Sequence, residues 1–153
     1  MRALVALALV VGCIAIAGFW LMQSTRSHAG LLPYDDPVAV ARGKEIYGEH
    51  CASCHGDDLQ GEPDWQTAKP DGKMPAPPHD ATGHSWHHAD AHLIRITRDG
   101  TAAVVGDGYE SDMIGFGDVL SAEDILAVLG YIKSTWPPEI IDRHNEVNRS
   151  GGH

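Results

Sequence analysis

Cys51-Ala-Ser-Cys54-His55 is the segment whose residue types and spacing could do chemistry. Two thiols three positions apart stand about one helical turn from each other, on the same side of the chain, and an imidazole follows directly. That spacing lets the thiols form thioethers to the two vinyl groups of one haem while the imidazole meets the iron. A redox disulfide with this spacing belongs on a strand-to-helix turn of a βαβ unit, and no such pattern surrounds it. A zinc site would need further ligands at metal spacing, but no second Cys pair follows, and Cys13 lies in an apolar run. The motif therefore points to one covalent haem c held by Cys51, Cys54 and His55.

A second group of chemically active residues follows. His79, His84, His87, His88 and His92 fall within 14 residues, with Asp80 and Asp90 among them. A helix over 84–92 would put His84, His88 and His92 on one face, a ligand set suited to copper or zinc. Gly83 and the prolines before it oppose a helix at the start of that stretch. A second metal at His79–His92 thus stands beside blander readings: solvated loop histidines, or side chains bonded to backbone and haem propionates. Trp65 and Trp86 fit either haem contact or ordinary apolar packing.

Positioning elements can be read around these groups. Asp36-Pro37 gives an N-cap and a first-turn proline, and Val40, Gly43 and Tyr47 then share one helical face toward Cys51. Residues 56–88 carry five prolines, at 63, 70, 75, 77 and 78, and read as loop. Asp90 is expected to cap a short helix through Leu93, Ile94 and Thr97 that closes at Gly100. Residues 101–118 read as irregular, with extended residues near Val104. Ser121-Ala-Glu-Asp124 starts a last helix with Ile125, Val128, Leu129 and Ile132 on one face, and Pro137-Pro138 stops it. Residues 137–153 read as a loose polar tail. Three short helices with long loops bury little apolar surface, so the sequence asks for a cofactor as a staple.

Composition excludes several classes. The chain has 153 residues, which allows one domain with an appendage. It holds 21 acidic residues against 11 Lys and Arg, a formal net charge of −10, so nucleic-acid binding through phosphate contacts is excluded. Three cysteines do not make a disulfide scaffold. Long β-rich stretches are missing, which excludes a sandwich or barrel. Ala3 to Met22 is a run of 20 uncharged residues. As a helix it would span about 30 Å, a bilayer core. Residues 1–22 are thus expected to be a transmembrane anchor or uncleaved signal, with a signal peptide cleaved near Ala29 as the alternative. Residues 23–35 then form a linker. The haem domain is expected to face the periplasm or cell exterior from a bacterial inner membrane.

Taken together, Gly43, Tyr47, Cys51-Ala-Ser-Cys54-His55-Gly56, the Met113 segment and the final helix with Tyr131 resemble a monohaem, membrane-anchored class I c-type cytochrome over residues 36–136. The resemblance implies an all-α fold in which the first and last helices cross at Gly43 and Tyr47 against Tyr131. It also implies a one-electron carrier rather than an enzyme. The segment from Pro75 to Asp90 resembles an insert in a subgroup of anchored bacterial cytochromes and brings no settled role with it.

An electron carrier closes its iron on both sides, and a thioether opposite the histidine raises the potential. Position excludes Met1 and Met22. Met113, in Asp-Met-Ile-Gly-Phe before the last helix, matches the family's ligand loop, although Ile114 stands where proline is common. Met74, which does precede a proline, and a histidine of 79–92 stay open. The carbonyl that orients His55 is expected from the Gly61-Glu62-Pro63 turn. The acidic surface suits redox partners with a basic docking face. The alternatives are a haem subunit of a larger respiratory or oxidoreductase complex, a haem enzyme or gas sensor with an open sixth position, and a metal-handling protein or sensor built on the His-rich segment.

Overall fold

The computed structural model describes residues 30–151, and these are helical, with no strand among them. The expected anchor at 1–22 lies outside the described residues. Among the residues described, no helix is long and apolar enough to cross a membrane.

Helix α1, Pro37–His50, begins as its sequence dictates. The Asp36 carboxylate accepts from the amides of Val38 at 2.9 Å and Ala39 at 3.3 Å, and Pro37 occupies the first turn, where its missing N–H costs nothing. A single turn, α2, Ala52–His55, carries the Cys-x-x-Cys-His motif. The chain then runs through loop to a 3₁₀ turn at Ser85–His87. Helices α3, Asp90–Asp99, and α4, Thr101–Val105, follow. Helix α5, Ala122–Ser134, is capped by Ser121 Oγ, which accepts from the Asp124 amide at 3.1 Å. Helix α6, Pro138–Arg149, completes the described chain.

The core lies where α1 crosses α5. A Cβ on Gly43 would sit 2.0 Å from the Ala127 carbonyl oxygen, so only glycine lets the backbones approach this closely. Tyr47 and Tyr131 meet beside that point with ring centroids 5.6 Å apart. Ile46, Ile125, Val128 and Ile132 are buried around them.

Three expectations need correction. Residues 101–105 are helical, not extended: the β-branched Thr101, Val104 and Val105 suggest strand, but Gly100 and Gly106 bracket one short turn. Asp90 is not the cap of α3. It is the helix's first residue, with Ala89 at the cap, and its carboxylate accepts from the amides of Leu31 and Leu32 and from Asn148 Nδ2. Residues 138–149 are not a loose tail. Pro138 ends nothing by itself; it occupies the first turn of α6, a position that favours proline. The helix packs Ile140 and Ile141 on the core and buries His144 completely. Its docking face includes His144, Asn145 and Asn148, so hydrophobic periodicity does not reveal it.

Candidate haem site

The turn α2 presents three functional side chains to one cavity of about 740 Å³. The amides of Cys54 and His55 both donate to the Cys51 carbonyl, at 3.2 and 2.9 Å, which winds the motif into helix. Cys51, Cys54 and His55 consequently line the same wall. Cys54 is exposed, Cys51 is partly buried, and His55 is 7% exposed. Burial, with the Cys54 thiol beside it, pushes the Cys51 thiol up to about 11.

His55 Nδ1 lies 2.8 Å from the Pro77 carbonyl oxygen. A carbonyl only accepts, so Nδ1 carries the proton and Nε2 keeps its lone pair for a metal. Burial lowers the His55 pKa against the smaller opposing effect of that hydrogen bond. The expected acceptor, the Gly61-Glu62-Pro63 turn, is corrected. That turn instead holds the acceptor in place. The Gly61 amide donates to the His55 carbonyl at 2.8 Å, and Glu62 brackets Ala76 through both backbone and carboxylate. The oxygen itself comes from 22 residues away, beyond the reach of local pattern.

Met74 and Met113 both line the cavity. An ion pair between Lys73 and Asp112, each one residue before a methionine, ties their two loops together. The Met113 loop is laid along the end of α3. Phe116 N–H donates to the Thr97 carbonyl at 3.0 Å and Gly117 N–H to the Arg98 carbonyl at 2.9 Å. A Cβ on Gly100, whose φ is +84°, would lie 2.7 Å from the Gly115 nitrogen, so this contact also requires glycine. Met113 is half-buried there, whereas Met74 is 39% exposed.

The histidines separate into groups. His79 packs on His55 with ring centroids 3.9 Å apart. A ring whose centre lies 3.9 Å from that of His55, tilted by 35°, is too close to stand opposite it across a metal, so this geometry does not make His79 the sixth ligand. His84, His88 and His92 line the cavity in sequence, with ring separations of 5.3 and 4.7 Å, and Trp65 stacks on His84. Burial lowers the pKa of His84 and of His88, and neighbouring histidines lower both further. They reach this wall without a continuous helix over 84–92, as Gly83 and the prolines before it imply: the chain is extended at His88 and Ala89 between the 3₁₀ turn and α3. His87 stacks on Trp86 at 3.6 Å, and neither belongs to the cavity lining.

Among the described residues no group of three or more His, Cys, Asp or Glu side chains is placed to hold a metal ion. The expectation of a second metal at His79–His92 therefore has no support. Both acidic residues of the segment are engaged otherwise: Asp80 accepts from the Thr82 amide and hydroxyl, and Asp90 from the N-terminal segment and α6. Sequence reasoning missed Pro77, His50 and Tyr109, which also border the cavity; nothing in their local spacing marks them.

The cavity fits haem c on its own chemistry. Its volume of about 740 Å³ lies within the range of about 300–1,000 Å³ common for cofactor sites. Two thiols, an imidazole with a free Nε2 and two thioethers border it. Comparison with known proteins agrees. No solved structure matches the chain. Over 100 residues, 65% of this chain, it is 37% identical to a thiosulfate dehydrogenase of Stutzerimonas stutzeri strain A1501, covering 28% of that protein. Over 104 residues, 63% of this chain, it is 28% identical to a nitrite reductase of Stutzerimonas stutzeri, covering 16% of it. The chain thus spans less than a third of either relative's length. The cytochrome c family profile matches residues 40–136, and with the motif, cavity and helix crossing it identifies the chain as a member of the cytochrome c family.

Proposed function

We propose that this chain is a one-electron carrier with a single covalent haem c, tethered by residues 1–22 to a bacterial cytoplasmic membrane and facing the periplasm. One observation carries the reading: Cys51, Cys54 and the free Nε2 of His55 face one cavity of about 740 Å³. When bound, haem c supplies an iron that alternates between Fe(II) and Fe(III). Cys51 and Cys54 would hold the group by thioethers, and His55, its ring oriented by Pro77, would ligate the iron. Met113 would supply a thioether sulfur as the second ligand. Its support is its placement: the Met113 loop is bonded along the end of α3 and Met113 is half-buried, whereas the Met74 loop is bonded to the Glu62 turn and leaves Met74 39% exposed. The walls of Val128, Leu129 and Ile132 exclude water and limit reorganisation as the charge changes.

The membrane tether rests on the uncharged run from Ala3 to Met22, and the basic docking face of the partner on the net charge of −10. A second reading has an observation of its own. Both relatives are much longer and are named as redox enzymes, which favours a haem module working with larger redox proteins. In either case the chain's own part is electron transfer. Acid extraction tests the shared core: haem should stay with the native chain and leave no trace on a chain carrying Cys51→Ala with Cys54→Ala. Release of haem from the native chain would refute the proposal.

A further inference from the structure

His55 is gripped by one short segment, Pro77-Pro78-His79. The Pro77 carbonyl accepts a hydrogen bond from Nδ1–H at 2.8 Å, and the His79 ring leans on the imidazole at 3.9 Å between centroids with 35° between planes. His79 is itself fixed at both ends. Its amide donates to the Leu59 carbonyl at 2.8 Å, and its carbonyl accepts from Trp136 Nε1 at 2.7 Å. The edge of Tyr47 closes on it from a third side at 6.1 Å. The brace is therefore anchored to the loop, to the end of α5 and to α1 at once.

Filling space would not require an imidazole here. Nδ1 of His79 is buried without a hydrogen-bond partner, a cost that leucine or phenylalanine would avoid. What the imidazole shares with phenylalanine, and leucine lacks, is a flat face turned to the His55 ring. A hydrogen bond at one ring atom limits rotation of an axial imidazole, and a flat wall along its face limits it further. The plane of that ligand, in turn, governs how its orbitals meet the metal's and hence the metal's electronic properties.

We propose that His79 is a positioning residue for His55: together with Pro77 it sets the plane of the axial imidazole and holds it as the iron changes charge. The inference rests on the haem-carrier reading, and the two can fail separately. The test uses the full holoprotein with His79→Phe, His79→Leu and His79→Ala. Acid-stable haem and a low-spin spectrum are scored first on every protein; a native chain lacking both fails the carrier reading, not this one. Electron paramagnetic resonance g-values, the pattern of haem-methyl hyperfine shifts and the midpoint potential are then compared. His79→Phe should match the native protein. His79→Leu should alter the g-values and methyl pattern. It should also shift the ferric-to-ferrous ratio at fixed potential by about tenfold, or about 59 mV for one electron. His79→Ala should go further, and if it does not fold, His79→Leu decides. Native spectra and potential in folded His79→Leu would reduce His79 to core packing and overturn the proposal. Equal changes in His79→Phe and His79→Leu would overturn it too, since the flat face would then not be the cause.

Discussion

His55 and His144 are both buried histidines, 7% and 0% exposed, and the regions around them are built for opposite ends. Each has one ring nitrogen near a backbone carbonyl, Pro77 at 2.8 Å for His55 and His88 at 3.0 Å for His144. The difference is what lies beyond. The other nitrogen of His55 is left for a cavity. His144 sits in a closed polar knot: the same Nε2 that meets the His88 carbonyl lies 3.3 Å from Asp90 Oδ1, its Nδ1 is buried without a partner, and the ring is edge-on to Trp136. The knot extends to Lys133, fully buried, whose Nζ donates to Asn145 Oδ1 at 2.7 Å and lies 4.5 Å from the Tyr34 ring centre. It joins α3, α5, α6 and the residues entering at Leu31. Neither burial nor an unpartnered ring nitrogen therefore marks a functional histidine; a place on the wall of the cavity, which His55 has and His144 lacks, does.

The comparison breaks most sharply at the knot. Asp90→Ala strips acceptors from the Leu31 and Leu32 amides and from Asn148, and leaves Lys133 and His144 buried without their carboxylate. Each buried donor left without its acceptor costs about 1–3 kcal/mol. Denaturant unfolding should show that loss while the haem spectrum stays native. A changed axial spectrum would mean that the two regions are not separate.

On the cavity side the signs reverse. Met113→His should keep a six-coordinate iron and lower its potential, because a thioether favours Fe(II) more than imidazole does. Met74→Leu should leave both unchanged. Potentiometry that responds to Met74→Leu and not to Met113→His would exchange the two assignments.

A smaller effect is expected in acid. Burial, and then the nearby Lys133 charge, lower the His144 pKa from 6.5 to about 4, against the opposing pull of Asp90. Unfolded His144 therefore takes up a proton at a higher pH than the folded form. Its contribution is intact above about 6.5 and is lost progressively as pH falls toward 4, by at most about 1.4 kcal/mol per pH unit. His144→Gln should show a smaller stability loss than the native protein between pH 7 and pH 5. An equal loss in both would show that other groups carry the acid response.

The mildest expectation concerns encounter. With a basic partner, the rate between the haem domain and that protein should fall as salt rises, from an enhancement of about 10–10³ at low ionic strength. A flat salt series would leave the acidity a matter of solubility alone.

What could be read beforehand follows from the range of the interactions. The start of α1, the Ser121 cap and the Cys-x-x-Cys-His turn are local or periodic and legible as such, whereas the Gly43 crossing is legible only through the family resemblance. The Pro77 acceptor and the His79 brace depend on a loop folding back over about twenty residues, and no spacing announces that. Helix α6 was hidden for another reason: its buried face is polar, so its partners Asp90 and Lys133 became visible only in three dimensions. The histidine row is legible as a cluster, but spacing leaves a metal site and plain loop histidines both open; only the structure shows that the acids a metal site would use are spent on backbone and on α6.

The claim on which the rest depends is one covalent haem on Cys51 and Cys54. Intact-mass spectrometry of the denatured chain, purified from a host that matures c-type haem, tests it directly. The account predicts a single species heavier than the polypeptide by one haem, and the bare polypeptide mass for Cys51→Ala with Cys54→Ala. A native chain that runs at its bare mass, or retains its haem when both cysteines are replaced, would contradict it.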